Sequence, residues 1–328
     1  YFNPADPEYV YPLNVLETEN ESQRELVASG VISIFKKLYG NVSWGPRLEH
    51  ILRNAVLTLV NTPDSNLADI VAILTDKSYR QKVVAQLKNQ TLINFWKNEF
   101  DRMDDKFQQE AISPILNKVG QFISSTKIRN TIAHPKSKIR IEEIMNQKKI
   151  LIADLSTGKL GEDNSALLGA MLITQIQLSA MNRVFQSQDE RSDFYLYVDE
   201  FQNFATEAFI KILSEARKFK LNLIVANQYM AQLDRTIQDA IFGNVGSLIS
   251  FVVGNQDAYI LQKEFGPKFP AEDLVKIGKY QVVCKLSIDS ETQNPFYATT
   301  LPPLACKNQG RDKVIRTSQE RWGKKINP

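Results

Sequence analysis

The sequence predicts an α/β protein, a mostly parallel sheet flanked by helices and interrupted by an all-helical insertion. Three observations predict it. From Lys149 onward, short apolar runs of strand length alternate with amphipathic helices, the pattern of a parallel sheet with crossover helices. Between residues 62 and about 145 strand-like runs vanish. Two successive strands then end in polar pairs, Asp199-Glu200 and Asn227-Gln228, where sheets of this class bind ligands.

The chain of 328 residues, 43% hydrophobic, suits two or three domains, or one α/β domain carrying an insertion. Net charge is only +3, but residues 307–328 hold seven basic residues against two acidic ones. This stretch reads as a solvated, mobile basic tail, with contact to a polyanion as the alternative. Two cysteines (Cys284, Cys306) and two histidines (His50, His134) are too few for a disulfide framework or a tetrahedral zinc site. Cytosolic chemistry is the default. No apolar run reaches the roughly 20 residues of a membrane helix. The chain begins at Tyr1 without a methionine, so it reads as a fragment, and a missing N-terminal anchor carries little weight.

The opening YFNPADPEYVYPLNVLE reads as a strand end and a proline-rich loop. Ser22 and Glu25 have capping-box spacing ahead of a helix that stops at Gly40. In WGPRLEHILRNAVLTLV, the residues Leu48, Ile51, Leu52, Ala55, Val56 and Leu59 share one helical face, and Pro46 suits the first turn. Arg47, His50 and Asn54 share the other side. Short helices are expected around Leu67–Leu74 and Tyr79–Leu87, and Ser113-Pro114 reads as the start of another. KILIADL, from Lys149 to Leu155, is expected to be a strand covered on both faces. A long helix follows from about Asn164 to Phe185. The strands FYLYVD, LNLIVA and SLISFVV alternate with helices, and YQVVCKL with PFYATTL close the sheet. The expected division is 1–61 as the first part of an α/β domain, 62–148 as an all-α insertion, 149–305 as the rest of the α/β domain, and 306–328 as the basic tail.

Asp199 and Glu200 are the first candidates for chemistry. A carboxylate at a strand tip can hold the hydration shell of Mg²⁺, which prefers hard oxygen ligands. A second carboxylate can deprotonate a water that attacks a terminal phosphate. The plainer alternative is that Asp199 caps the next helix and Glu200 is solvated. Gln228, on the neighbouring strand tip, can touch the same phosphate or water, or else merely satisfy loop backbone. Between them, in TEAFIKILSEARKFK, a buried stripe of Phe209, Ile212, Leu213, Ala216 and Phe219 leaves Arg217 at its flank. A guanidinium on such a support can serve a neighbouring subunit's phosphate site; the alternative is an ordinary surface arginine.

A phosphate loop needs G-x-x-x-x-G-K-[ST]. Gly158-Lys159 follows a strand-like run, but Ala153 stands where the first glycine belongs and Leu160 where Ser or Thr should be. No other segment qualifies.

FYLYVDEFQNFATEAFIKILSEARKFKLNLIVANQYMAQL, followed by IFGNVGSLISFVVGNQDAYIL, resembles the HerA/FtsK superfamily of motor ATPases, nearest the TraG/TraD-like conjugative coupling proteins of type IV secretion. The resemblance is strongest over 149–303 and extends to NPADPEYVYPLNVLE and WGPRLEHILRNAVLTLV. It implies a RecA-like fold of the P-loop NTPase superfamily, ATP and Mg²⁺ as cofactors, a homo-oligomer (a hexamer), and nonspecific DNA binding. It implies that Asp199 coordinates magnesium, through water, that Glu200 activates water, that Gln228 senses the γ-phosphate and that Arg217 acts in trans. It also implies that this chain begins just downstream of a Walker A segment, that 62–145 corresponds to the all-α domain of coupling proteins, and that the protein is cytoplasmic, with a place at the inner face of a membrane through segments outside this sequence.

The function expected is a ring-forming ATPase that translocates DNA or DNA–protein substrates, with a secretion partner in the conjugative branch or a nuclease partner in the HerA branch. The alternative is a catalytically incomplete adaptor whose helical insertion docks protein partners.

Overall fold

The computed structural model describes residues 1–18, 20–304 and 310–326. Cys306 and Lys307 of the basic tail lie outside the described residues. The chain forms two compact units, Tyr1–Phe194 with Gly310–Pro328, and Tyr195–Gln309. These units cut across the divisions expected from the sequence.

The first unit is built on helices. The helix Arg24–Ser43 starts after a 3-10 turn whose cap is Asn20, accepting the Ser22 N–H; the Ser22 spacing is not the cap. Its dihedrals break at Gly40, where φ is 69°, a value that favours glycine. The helix Pro46–Val60 buries Leu48, Ile51, Leu52, Ala55, Val56 and Leu59, the face its periodicity predicts. Over 62–148 the described chain is helical, with helices that include Asp69–Thr75, Lys77–Val84, Asp105–Ser124 and Thr126–Ile132. Pro114 does not open a helix. It lies inside Asp105–Ser124, which Asp104 caps through the Phe107 N–H. Its carbonyl accepts the Tyr39 hydroxyl at 2.6 Å.

These helices share one apolar core with the long helix Glu162–Asn182. Gly30 lets two of these helices approach closely: a Cβ there would meet Thr174 Cγ2 at 2.5 Å. In the same core, the indole N–H of fully buried Trp96 donates to Thr58 Oγ1 at 2.8 Å. The helix expected from its sequence to flank a sheet therefore packs on helices.

KILIADL is not a paired strand. It touches Phe2 through a single parallel bridge at Ala153, with Phe2 N–H donating to Ile152 O and Asp154 N–H to Phe2 O. Ile150 is 87% exposed and Ile152 54%. The apolar run was expected to be buried on both faces, but no described element covers those two side chains.

The basic tail is not a solvated coil where it is described. Arg311–Trp322 is a helix, and Lys324–Lys325 pair antiparallel with Tyr9–Val10. Ser318 is buried and accepts the Tyr1 ammonium, and Gln319 donates to Asp6. Four cationic side chains on this helix, Arg311, Lys313, Arg316 and Arg321, stay exposed. High charge thus coexists with order: Ser318 and Gln319 make the docking contacts while these four side chains stay solvated.

In the second unit the expected mostly parallel sheet is reduced. Phe194–Val198 and Leu221–Val225 form one pair, while Leu248–Ser250, Gln281–Lys285 and Phe296–Thr299 form a separate antiparallel sheet. Strand SLISFVV was expected to run parallel with its predecessors. It pairs instead with Gln281–Lys285, Leu248 opposite Lys285 and Ser250 opposite Val283. Ala258, Leu261, Phe265, Phe269 and Leu274 bury one face of this sheet around Val283, and Ile249, Phe251 and Tyr297 are more than half exposed. That one-sided burial is typical of antiparallel sheets.

Candidate functional site

The site is set by how the strands Phe194–Val198 and Leu221–Val225 end. Ala226 N–H donates to Val198 O at 2.9 Å, and Ala226 O accepts Phe201 N–H at 2.9 Å. Both strands therefore reach their C-terminal ends side by side and run in the same direction. In an unbroken parallel ladder Ala226 O would receive residue 200. It receives residue 201, so Glu200 is an extra residue that bulges from the ladder.

The bulge explains the backbone of Glu200. It sits in the left-handed region, φ 47° and ψ 47°, which L-residues with a Cβ adopt at a cost. Its N–H donates to Asp199 Oδ1 at 2.9 Å, and its Oε2 accepts Asn203 Nδ2 at 3.2 Å. The next residue, Phe201, is fully buried against Phe209, with ring centroids 4.3 Å apart. That contact anchors the bulge on the core while both carboxylates stay exposed. Backbone strain of this kind clusters at active sites and ligand clamps, and positive φ recurs here at six other described non-glycine residues, Lys220 among them.

Asn227 and Gln228 leave the adjacent tip. Asn227 Nδ2 donates to Tyr229 O at 3.1 Å, and Gln228 is exposed. The structure thus brings Asp199, Glu200 and Gln228 to one edge, with the amide and the carboxylate pair on neighbouring strands.

Arg217 is elsewhere. The helix Glu207–Glu215 gives way to a 3-10 turn, Ala216–Phe219, so Arg217 is not on the single long helix expected. It is exposed, and its Nη2 donates to Ser290 Oγ at 3.2 Å. It precedes the strand that Gln228 follows. Five strand residues at about 3.3 Å each separate the two ends by roughly 16 Å. Within one chain, Arg217 and the acidic pair lie at opposite ends of the same strand pair.

Asp199 and Glu200 supply hard, exposed oxygens of the kind a hydrated Mg²⁺ accepts. Among the described residues no group of three or more His, Cys, Asp or Glu could hold a metal. Lys159, the lysine of the glycine-lysine segment, is ion-paired to Asp154. Lys159 and the Tyr1 hydroxyl together hold the Asp154 carboxyl well below the usual carboxylate range. The segment around it is a four-residue helix, Thr157–Leu160, not a cradle. Burial pushes the Cys284 thiol up, the wrong direction for a nucleophile.

A cleft of about 570 Å³ in the first unit is lined by side-chain amides. Gln23 and Gln175 already donate to Leu178 O and Val15 O, and Asn14 to Ser65 O and Pro135 O. Those amides serve the fold.

By sequence, no protein-family model and no curated protein matches the chain. Solved structures do match it by shape. The unbound monoclinic form of the bacterial conjugative coupling protein TrwBdeltaN70 superposes with a TM-score of 0.59 at 12% identity, over 92% of this chain and 72% of that one. The plasmid coupling protein TrwB in complex with ADP and Mg²⁺ gives 0.61 at 11%, over 94% and 75%. TrwB with a non-hydrolysable GTP analogue gives 0.57 at 11%, over 91% and 73%. The chain has the fold of a conjugative coupling protein. The likeness covers more than nine-tenths of this chain. No described helix is long and apolar enough to cross a membrane.

Asn203 and Asp257 were missed in the sequence. Asn203 is three residues past Glu200, a spacing that the sequence displays. Asp257 lies 29 residues beyond Gln228 and reaches its loop only through the fold.

Proposed function

We propose that this chain is the motor part of a ring-forming ATPase that moves DNA, or a DNA–protein complex, through a hexameric ring. The observation that carries the reading is the pair of neighbouring strand tips, one presenting Asp199 and a strained Glu200, the other Gln228, in a coupling-protein fold. TrwB binds ADP with Mg²⁺, and by that likeness the substrate here is ATP with Mg²⁺.

Asp199 would hold the magnesium through its water shell. Bound there, the ion supplies positive charge that offsets charge developing on the phosphates. Glu200 would take the proton of the attacking water. Its backbone conformation and the Asn203 hydrogen bond aim the carboxylate outward from the bulge. Gln228 would contact the terminal phosphate or the attacking water and change partners after cleavage. Arg217, at the far end of the strand pair, suits the active site of the next subunit, where a guanidinium stabilises transferring phosphoryl charge. In the conjugative setting the partners would be DNA, further copies of this chain and a secretion apparatus. A nuclease partner belongs to the HerA-like version, and the inner face of a membrane would be reached through other segments.

The test is DNA-stimulated ATP hydrolysis by the full-length gene product. Glu200→Gln should lower kcat by 10² or more while leaving nucleotide binding in place. Hydrolysis that survives this substitution refutes the assignment.

A second reading is a catalytically incomplete adaptor, favoured by one observation: none of the 328 residues forms a G-x-x-x-x-G-K-[ST] loop. Equilibrium binding of ATP to the full-length gene product separates the two, since the adaptor binds none.

A further inference from the structure

Asp257 is a carboxylate with 6% exposure that the proposed chemistry does not use. It lies in the first turn of the helix Asn255–Phe265, where the helix dipole favours negative charge. Its Oδ2 accepts the N–H of Met230 at 3.1 Å, two residues beyond Gln228. The same loop is gripped from another side. Gln238 Nε2, on the helix Arg235–Asn244, donates to both Met230 O and Leu233 O at 2.8 Å. The segment that carries Gln228 therefore hangs between Ala226, fixed to the acidic strand, and Met230, fixed to two helices. Burying a carboxylate is costly unless it is well bonded, and a neutral acceptor would satisfy one amide as well.

We propose that Asp257 is a positioning residue for Gln228. It pins the loop after the amide strand so that Gln228 stays at the tip beside Glu200, and it links that loop to the helix Asn255–Phe265. Movement of Gln228 on phosphate release would thus be felt at the start of that helix. This inference rests on the reading of Gln228 as the phosphate sensor.

The experiment has two arms. In the 328-residue chain, amide hydrogen exchange at Met230 should speed up at least tenfold in Asp257→Ala and stay within threefold of wild type in Asp257→Asn, which keeps an acceptor oxygen. In the full-length gene product, Asp257→Ala should lower kcat about tenfold with KM for ATP within twofold, and Asp257→Asn should restore most of it. Met230→Pro removes the donor and spares the carboxylate. It should lower kcat like Asp257→Ala and decides the matter if the alanine variant does not fold. Unchanged Met230 exchange in Asp257→Ala overturns the clamp, and so does unchanged kcat in an active enzyme. A wild-type protein without ATPase activity would sink the motor reading instead, and the exchange arm still decides whether Asp257 holds the loop.

Discussion

Replacing Glu200 by glycine should leave the fold more stable than replacing it by alanine, against the usual ranking of the two residues. The left-handed conformation of Glu200 costs a residue with a Cβ roughly 1–2 kcal/mol, and costs glycine nothing. Glycine brings a more flexible unfolded chain, worth about 0.4–1 kcal/mol against it. The Asn203 hydrogen bond is lost in both variants and cancels. The difference then centres on about 0.8 kcal/mol in favour of glycine, within a range of roughly 0–1.6. Urea unfolding of the 328-residue chain, followed by tryptophan fluorescence and far-UV circular dichroism, would read it as a higher midpoint for Glu200→Gly at an unchanged slope. Both variants should lack ATPase activity in the full-length gene product. Together these results would show that the native side chain is kept at a strained position for a reason other than stability. If Glu200→Ala is the more stable by any clear margin, the bulge is not strained, and the argument from strain to function fails.

Mixing two inactive variants tests Arg217: Arg217→Ala and Glu200→Gln subunits should together recover part of the ATPase activity if the guanidinium acts in trans, and a mixture as dead as either parent would sink that role. Thr58→Val strands the indole N–H of buried Trp96 and should cost about 1–3 kcal/mol, seen as a lower urea midpoint; a shift under about 0.5 kcal/mol would mean the bond contributes little. Asp154 is held below its ordinary range by Lys159 and Tyr1, so its contribution is present above the unfolded value near 3.9 and is lost as pH falls through the folded one. Asp154→Asn should therefore flatten the acid limb of the stability profile below about pH 4, and parallel limbs for the two proteins would contradict it.

The helices were legible because their signals are local. Leu48 to Leu59 repeat on one face, and that face is buried. Pro114 misled because an interior proline and a first-turn proline look alike until the cap at Asp104 is seen. Strand pairing was not legible. SLISFVV has the composition of a buried parallel strand, yet pairing direction depends on where the chain returns, and it returns antiparallel at Gln281–Lys285. The C-terminal segment shows the limit of composition: seven basic residues suggested a free tail, but Ser318 and Gln319 dock it on Tyr1 and Asp6.

The candidate site divides along the same line. That two strands would end in Asp-Glu and Asn-Gln could be read directly, and so could their adjacency, because a single helix of crossover length lies between them. What could not be read is the one-residue bulge at Glu200, since it follows from which amide Ala226 O accepts. The extra residue coincides with the left-handed backbone of Glu200, its exposed carboxylate and its hydrogen bond from Asn203. At 11–12% identity to TrwB most core side chains differ, so the fold must rest on patterns that many residues satisfy. A bulge is less forgiving. It needs a residue able to bear φ > 0 followed by a large apolar anchor, here Glu200 then Phe201. On this reasoning, Phe201→Ala should hurt twice: it removes a fully buried ring, at about 3–5 kcal/mol, and frees the bulge it anchors. Phe201→Leu, with much of the volume kept, should cost less stability yet still loosen Glu200. A Phe201→Leu enzyme with full kcat would show that the bulge holds itself in place without its anchor.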